Sequence, residues 1–448
     1  MLEFQSKRPA VEKRTFNSMS VEALIKTIKS EIVDPELAWM FENCFPNTLD
    51  TTVDFDIIDG KPDTFVITGD IDAMWLRDST CQVWPYMPLI NEDSKLREMI
   101  KGLVHRQVKC VILDPYANAF YKDINEVSRW NNDIPKMKPG VHERKWEIDS
   151  LCYVVRLAYE YWQITGDKSV FDDGFDEAMH LIVETFRTEQ RKDSKTPYRF
   201  KRTTDEMTDA PLFEGTGRPV KAIGLICSMF RPSDDATLFP FLIPSNLFAA
   251  KSLEQIAQIY SDILGDLEFS KECSDFSVEI KNAVNDYAIV EHLSFGEIYA
   301  YEVDGFGNKV FMDDANVPSL MSLPYIGVCD FSDEVYQQTR KFLLSDSNPY
   351  FISGKVACGQ GSPHTGKENI WPMGIILRAL TSNDADEIKK CLSMLKVTHN
   401  NSGFMHESFH KDDCNNFSRS WFAWANTLFG ELICKVYREF SSILKERL

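Results

Sequence analysis

RSWFAWANTLFGELICKVYREF, residues 419–440, is the clearest helical stretch of the chain. Phe422, Ala425, Phe429, Leu432, Ile433, Val436 and Tyr437 recur at three- and four-residue spacing, so one face of an α-helix is apolar. The same spacing returns upstream. Residues 95–113 place Leu96, Met99, Ile100, Leu103, Val104, Val108 and Val111 on one stripe, and Asp114-Pro115 stops it. Residues 148–165 do so with Leu151, Val154, Val155, Ala158 and Trp162, and Gly166 offers the left-handed C-terminal residue. Phe171, Phe175, Ile182 and Phe186 mark the next helix. Leu253, Ile256, Ala257, Tyr260 and Leu264 mark another, ended by Gly265. Further helices are expected at about 276–291, 332–344, 371–380 and 384–397. Two near the start carry Val21, Leu24, Ile25 and Ile28, and Leu37, Met40, Phe41 and Cys44. Strand signals are few: residues 50–68 around Asp59-Gly60, and a hairpin over 298–312 around Asp304-Gly305.

These helices alternate with long loops, notably 114–147 and 188–229, and loops of that length in a compact domain are usually functional. No Pro/Ser-rich linker divides the chain. The expectation is a loose arm over residues 1–18, then one all-α domain over 19–448. That domain reads as a closed ring of helix hairpins with its loops at one end and one small β-hairpin insertion, although helix spacing alone fits an open solenoid equally.

The 448 residues carry a net charge of −19. Nucleic acid and anionic membrane both demand basic patches, so neither is expected as a partner. No apolar run reaches 18 residues, which excludes a transmembrane helix. The charged start MLEFQSKRPAVEKR has no apolar segment of the secretory kind. The 11 cysteines show no C-x-x-C spacing and read as reduced thiols of a cytoplasmic protein. The sequons at Asn400 and Asn416 then read as chance matches.

The long loops hold the unusual residues. FRPSDDATLFPFLIP, residues 230–244, sets Arg231 and Pro232 before adjacent aspartates, and Pro232 forbids regular helix there. The stretch is either a helix cap with a surface ion pair or an acid/base carboxyl tuned by Arg231 and a second aspartate. TGDIDAMWLRDS, residues 68–79, brings Asp70, Asp72, Trp75, Arg77 and Asp78 together. Carboxylates and a guanidinium suit sugar hydroxyls, and an indole suits the C–H face of a sugar ring. The alternative is a structural Arg–Asp pair at a helix start. Trp371, Trp421 and Trp424 stand beside polar residues, as the lining of a sugar pocket would. SPHTG, residues 362–366, presents His364 on a turn. His406-Glu407-Ser408-Phe409-His410 matches H-E-x-x-H, which on a helix would hold zinc, with Glu431 as a third ligand. Its setting between Gly403 and KDDCNN argues against a helix.

Taken together, GDIDAMWLRDST (69–80), DPYANAF (114–120), HERKWEIDSLCY (142–153), FRPSDD (230–235), LIPSNLFA (242–249), YEVDGFGN (301–308), MDDANVPSL (312–320), SNPYF (347–351), FMHESFH (404–410) and SRSWFAWAN (418–426) resemble glycoside hydrolase family 125, the exo-α-1,6-mannosidases. The motifs run in family order from about residue 35 to 437. The resemblance implies an (α/α)6 barrel and a metal-independent, cofactor-free, inverting hydrolysis of terminal α-1,6-linked mannose by a monomer. It implies Asp234 as general acid, supported by Asp235, and Glu407 as general base. It also implies Trp75, Arg77, Asp78, Arg231 and His364 as sugar-binding groups. Inversion requires the two carboxyls to stand about 6.5–9.5 Å apart, and retention about 5 Å. A zinc peptidase built on HESFH and a non-catalytic sugar-binding barrel are the competing readings.

Overall fold

The computed structural model describes residues 4–193 and 195–448. Helices dominate and the sheets are small. The chain is described in two compact units. One holds the chain up to Met74, Asp78–Leu103 and Tyr350–Leu448; the other holds Trp75–Arg77 and Val104–Pro349. The helix Ser94–Leu113 contributes its start to the first unit and its remainder to the second.

In the first unit, helix Ala423–Glu439 packs on Pro35–Cys44, Asn47–Thr51 and Pro372–Leu380. Leu428, Phe429, Leu432, Ile433 and Val436 form its buried face, as the spacing predicts. Gly430 allows the close approach, since a Cβ there would stand 2.6 Å from the Phe45 ring. Helix starts are set by side chains that satisfy orphan N–H groups: Ser18 accepts from Val21 N, and Asp34 and Asp384 each accept from two amides. Strands Val53–Ile58 and Lys61–Val66 stand where short strands are expected and pair as a hairpin, with Asp59 and Gly60 both at positive φ. Asn369–Ile370, Ser408–His410 and Asp413–Ser418 form a three-stranded antiparallel sheet.

The loose-arm expectation is corrected for residues 4–18. Arg8 Nε donates to Asp50 Oδ2 at 2.7 Å and its Nη1 to Glu22 Oε2 at 3.1 Å. Phe16 N donates to Leu49 O at 2.8 Å, and the Phe16 ring is buried. A buried ring and a buried, paired guanidinium outweigh the polar composition that made the segment look loose. Residues 1–3 of that expected arm lie outside the described residues.

In the second unit, helix Ile243–Ile259 packs against Ile148–Thr165 and Leu267–Tyr287. Buried from both sides, it shows apolar or small residues nearly all round. Gly166 (φ 69°) ends Ile148–Thr165 and Gly265 (φ 80°) follows the turn after Ile243–Ile259. The hairpin centred on Asp304-Gly305 is present as Glu302–Val303 and Lys309–Val310, and its first strand also pairs with Phe241–Leu242. That extra pairing brings Glu302 to the RPSDD segment. No helix among the described residues is long and apolar enough to cross a membrane.

Candidate active site

In the second unit, RPSDD is a reversal of the chain, not a helix cap. Phe230 and Ala236 form an antiparallel bridge. Arg231 N donates to Asp235 O at 2.8 Å and Asp234 N to Arg231 O at 2.9 Å. The helix starts only at Ile243. Asp234 sits at the tip with φ 67°. That left-handed conformation costs roughly 1–2 kcal/mol for most residues, and Asp and Asn tolerate it best. The Asp234 side chain is 29% exposed, whereas Asp235 is 2% exposed. Of the adjacent pair, Asp234 is the accessible carboxyl.

Asn118 Nδ2 donates to Asp234 Oδ1 at 3.4 Å, Lys145 Nζ to Asp234 O at 3.0 Å, and Arg77 Nη2 lies 3.8 Å from Oδ1. Arg77 is bound more closely elsewhere: its Nη1 donates to Glu147 Oε2 at 2.6 Å and Asp149 Oδ2 at 3.2 Å. Burial pushes the carboxyls of Glu147 and Asp149 above their ordinary range although Arg77 opposes it. Nearby, Lys145 pairs with Asp209 at 2.8 Å, and Arg202 with Asp133 and Glu143 at 2.6 and 2.8 Å. Burial works against the Glu143 charge, but Lys145 and Arg202 override it and hold the carboxyl at about 2. Trp75 is buried with its ring 5.1 Å from that of His142, which stacks on Tyr121 at 4.9 Å. Burial lowers His142 to about 4, so its ring is neutral near pH 7.

Arg231 is committed within this unit. Its Nε donates to Glu302 Oε1 at 2.6 Å, and Glu302 Oε2 accepts from Leu238 N and Phe239 N. Both side chains are buried, so the pair braces the reversal from behind. Ser233 Oγ adds a bond of 2.7 Å to Asp314 Oδ2.

In the first unit, Glu407 lies just before strand Ser408–His410. Its Oε2 accepts from Ser418 Oγ at 2.9 Å, and its Oε1 lies 3.4 Å from Arg419 Nη1. Arg419, at φ 49°, also pairs with Asp70 and stands 4.6 Å from the Phe422 ring. Burial opposes its charge, but Asp70 and Glu407 outweigh burial and raise its pKa, with Asp78 adding to the effect. The HESFH motif runs into a strand, where its two histidines take separate partners. His406 Nδ1 donates to Arg419 O at 3.0 Å, and His410 Nε2 meets Glu368 Oε2 at 3.1 Å. Glu431 lies on helix Ala423–Glu439. Among the described residues, no group of three or more His, Cys, Asp or Glu side chains could hold a metal ion. His364 is exposed on the short turn Pro363–Thr365, 6.4 Å from the Trp371 ring. Trp371 and Trp424 are core residues, and Trp371 Nε1 donates to Thr365 Oγ1 at 2.7 Å.

The second unit thus gathers Trp75, Arg77, Asp234, Asp235 and Arg231, and the first gathers Glu407 with Asp70, next to Asp78 in charge. Asn118, Lys145, Glu147, Asp149, Ser418 and Arg419 were not singled out from the sequence. Each lies inside a motif quoted above.

The family model for metal-independent alpha-mannosidase (GH125) matches residues 34–434. The meiotically up-regulated gene 157 protein of Schizosaccharomyces pombe is 41% identical over 98% of this chain and 90% of its own length. A metal-independent alpha mannosidase of Streptococcus pneumoniae, solved as a non-productive substrate complex with alpha-1,6-mannobiose, is 41% identical with a TM-score of 0.89; the match covers 97% of this chain and 100% of that one. A rhamnosidase of Bacillus sp. GL1 shares the fold alone, at 11% identity and a TM-score of 0.55 over 94% of this chain and 35% of that one. The chain belongs to glycoside hydrolase family 125, the metal-independent alpha-mannosidases.

Proposed function

We propose that this chain is an exo-acting α-1,6-mannosidase that removes terminal non-reducing mannose with inversion, on an (α/α)6 barrel. The observation that carries the proposal is the 41% identity, across 97% of the chain, to the Streptococcus pneumoniae protein solved with alpha-1,6-mannobiose. The accessible carboxyl of Asp234, held at the tip of a braced reversal, supports its role as general acid. It gives its proton to the glycosidic oxygen as the bond to the anomeric carbon breaks. Glu407 takes a proton from a water molecule on the opposite face of the ring, and that water's oxygen forms the new bond to the anomeric carbon. The product is β-mannose. Ser418 and Arg419 fix the Glu407 carboxyl, Trp75, Asp78 and His364 bind the sugar, and Arg77, its Nη1 held by Glu147 and Asp149, serves the sugar from beneath Asp234. Arg231 and Asp235, both buried, serve the sugar by shaping the turn. Eleven cysteines without C-x-x-C spacing suit a reducing compartment and support action in the cytoplasm.

Incubation with α-1,6-mannobiose, with and without a chelator, tests this. The anomeric protons of released mannose are followed by NMR. β-Mannose appearing first, unaffected by chelation, is the expected result. α-Mannose appearing first would refute inversion, and no cleavage would refute the activity.

A further inference from the structure

Arg77 faces more buried carboxyls than one guanidinium can balance. Glu147 and Asp149 are both fully buried and both contact Arg77 Nη1. Each also keeps one oxygen, Glu147 Oε1 and Asp149 Oδ1, buried without a hydrogen-bond partner. An ionised oxygen there has lost water and gained no donor, which costs several kcal/mol. Protonating one of the two carboxyls lowers that cost, because a neutral oxygen is cheaper to bury than a charged one. Asp149 lies in the first turn of helix Ile148–Thr165, where the helix dipole favours negative charge. Glu147 is the N-cap residue, yet its side chain makes no capping bond. It accepts from Ser150 Oγ at 2.9 Å instead. The proton therefore rests on Glu147, in keeping with its strongly raised pKa.

We infer that Glu147 and Asp149 share one proton over Arg77 and, by committing that guanidinium, act as positioning residues that keep Asp234 available as a proton donor. The second half rests on the reading of Asp234 as general acid. The other groups facing this region fit the same pattern. Lys145 is matched by Asp209 and Glu143, and Arg202 by Asp133, Glu143 and Asp209. His142 is neutral and Asp235 lies buried on the same turn. Each of these cations thus faces more than one carboxyl besides Asp234.

Two measurements test the inference. The first is infrared difference spectroscopy of wild type against E147Q at pH 7, without substrate. A protonated-carboxyl stretch that vanishes in E147Q is expected; its absence overturns the shared proton. The second is the pH profile of kcat/KM on α-1,6-mannobiose. E147Q and D149N should each keep the alkaline limb in place, since either remaining carboxylate balances Arg77. The double variant E147Q/D149N removes both buried carboxylates from Arg77, which lies 3.8 Å from Asp234, and the limb should move down by about one pH unit or more. A limb that stays put while the rate falls means a purely structural role and overturns the positioning claim. Should wild type not cleave the substrate, the general-acid reading fails, while the infrared band still decides the shared proton.

Discussion

Replacing Asp234 by Asn separates chemistry from fold at one atom. The backbone at φ 67° accepts Asn as readily as Asp, whereas Asp234→Ala would add a conformational cost of roughly 1–2 kcal/mol. The Asp234 carboxyl holds the fold only weakly, through a 3.4 Å bond from Asn118 and a 3.8 Å approach of Arg77 to a partly exposed oxygen. Asn keeps an oxygen for Asn118, so the stability change should stay below about 1 kcal/mol. Catalysis is another matter, because general acid catalysis is worth about 10²–10⁴ in rate. That corresponds to about 3–5 kcal/mol of barrier. The assay compares kcat on α-1,6-mannobiose with kcat on an aryl α-mannoside whose leaving group departs without a proton. D234N should lose the full factor on the disaccharide and little on the aryl substrate. Glu407→Gln should lose activity on both, since water must still be activated. Equal losses of D234N on the two substrates, or more than a tenth of wild-type activity on mannobiose, would refute Asp234 as the acid.

Three further outcomes follow from the same geometry. Arg231→Met keeps the aliphatic volume but strands the fully buried Glu302 with only two backbone donors. It should cost about 3–5 kcal/mol in urea unfolding and lower kcat with it; a loss under 1 kcal/mol contradicts the bracing role. Gly403→Ala meets a positive φ of 74° and places Cβ 2.7 Å from Asn43 Nδ2 and 2.8 Å from the Trp39 ring. A loss of about 2–4 kcal/mol is expected, and an unchanged unfolding midpoint would refute the clash. His142 has a folded pKa of about 4 against an ordinary value near 6.5, so the unfolded chain binds the proton first as pH falls. Stability is complete above about 6.5 and declines toward 4, by up to roughly 3 kcal/mol. His142→Phe should flatten that part of the stability–pH curve, and an identical slope in both proteins counts against the assignment.

The helices are readable from spacing because each buries one stripe, and the turn residues sit where a left-handed backbone is needed, as at Asp59-Gly60 and Gly166. What the spacing does not carry is long-range. Arg77 finds Glu147 across 70 residues, Glu302 reaches Arg231 across 71, and Arg8 reaches Asp50 across 42. No local pattern encodes those pairings, which is why the N-terminal segment reads as loose and why Glu147 and Asp149 look like plain helix-start residues. HESFH shows the converse error. Its letters satisfy a helical zinc motif, but Phe409 pairs across both strand neighbours, with Ile370 and Phe417, and extended backbone separates residues that a helix would align.

Arginines explain much of what remains. In a chain of net charge −19, a guanidinium near the interior has several carboxyls to choose from, and desolvation makes the buried ones the strongest partners. Arg231 accordingly goes to Glu302, and Arg77 lies closer to Glu147 than to Asp234. The consequence is mechanical as well as electrostatic. Asp234 and Arg419 both hold positive φ without being glycine, and such strain persists only where surrounding contacts over-determine it. Arg231 fixes Glu302, and Glu302 fixes the amides of Leu238 and Phe239 that close the Asp234 reversal. Arg419 is fixed by its own bonds to Asp70, Glu407 and the Thr68 carbonyl. Arg231, expected from the sequence to grip sugar, and Arg419 thus do their first work on the backbone, by holding one carboxyl at the tip of a turn and another at the start of a strand. Loosening either arginine should therefore disorder the carboxyl it serves before it changes any contact with substrate.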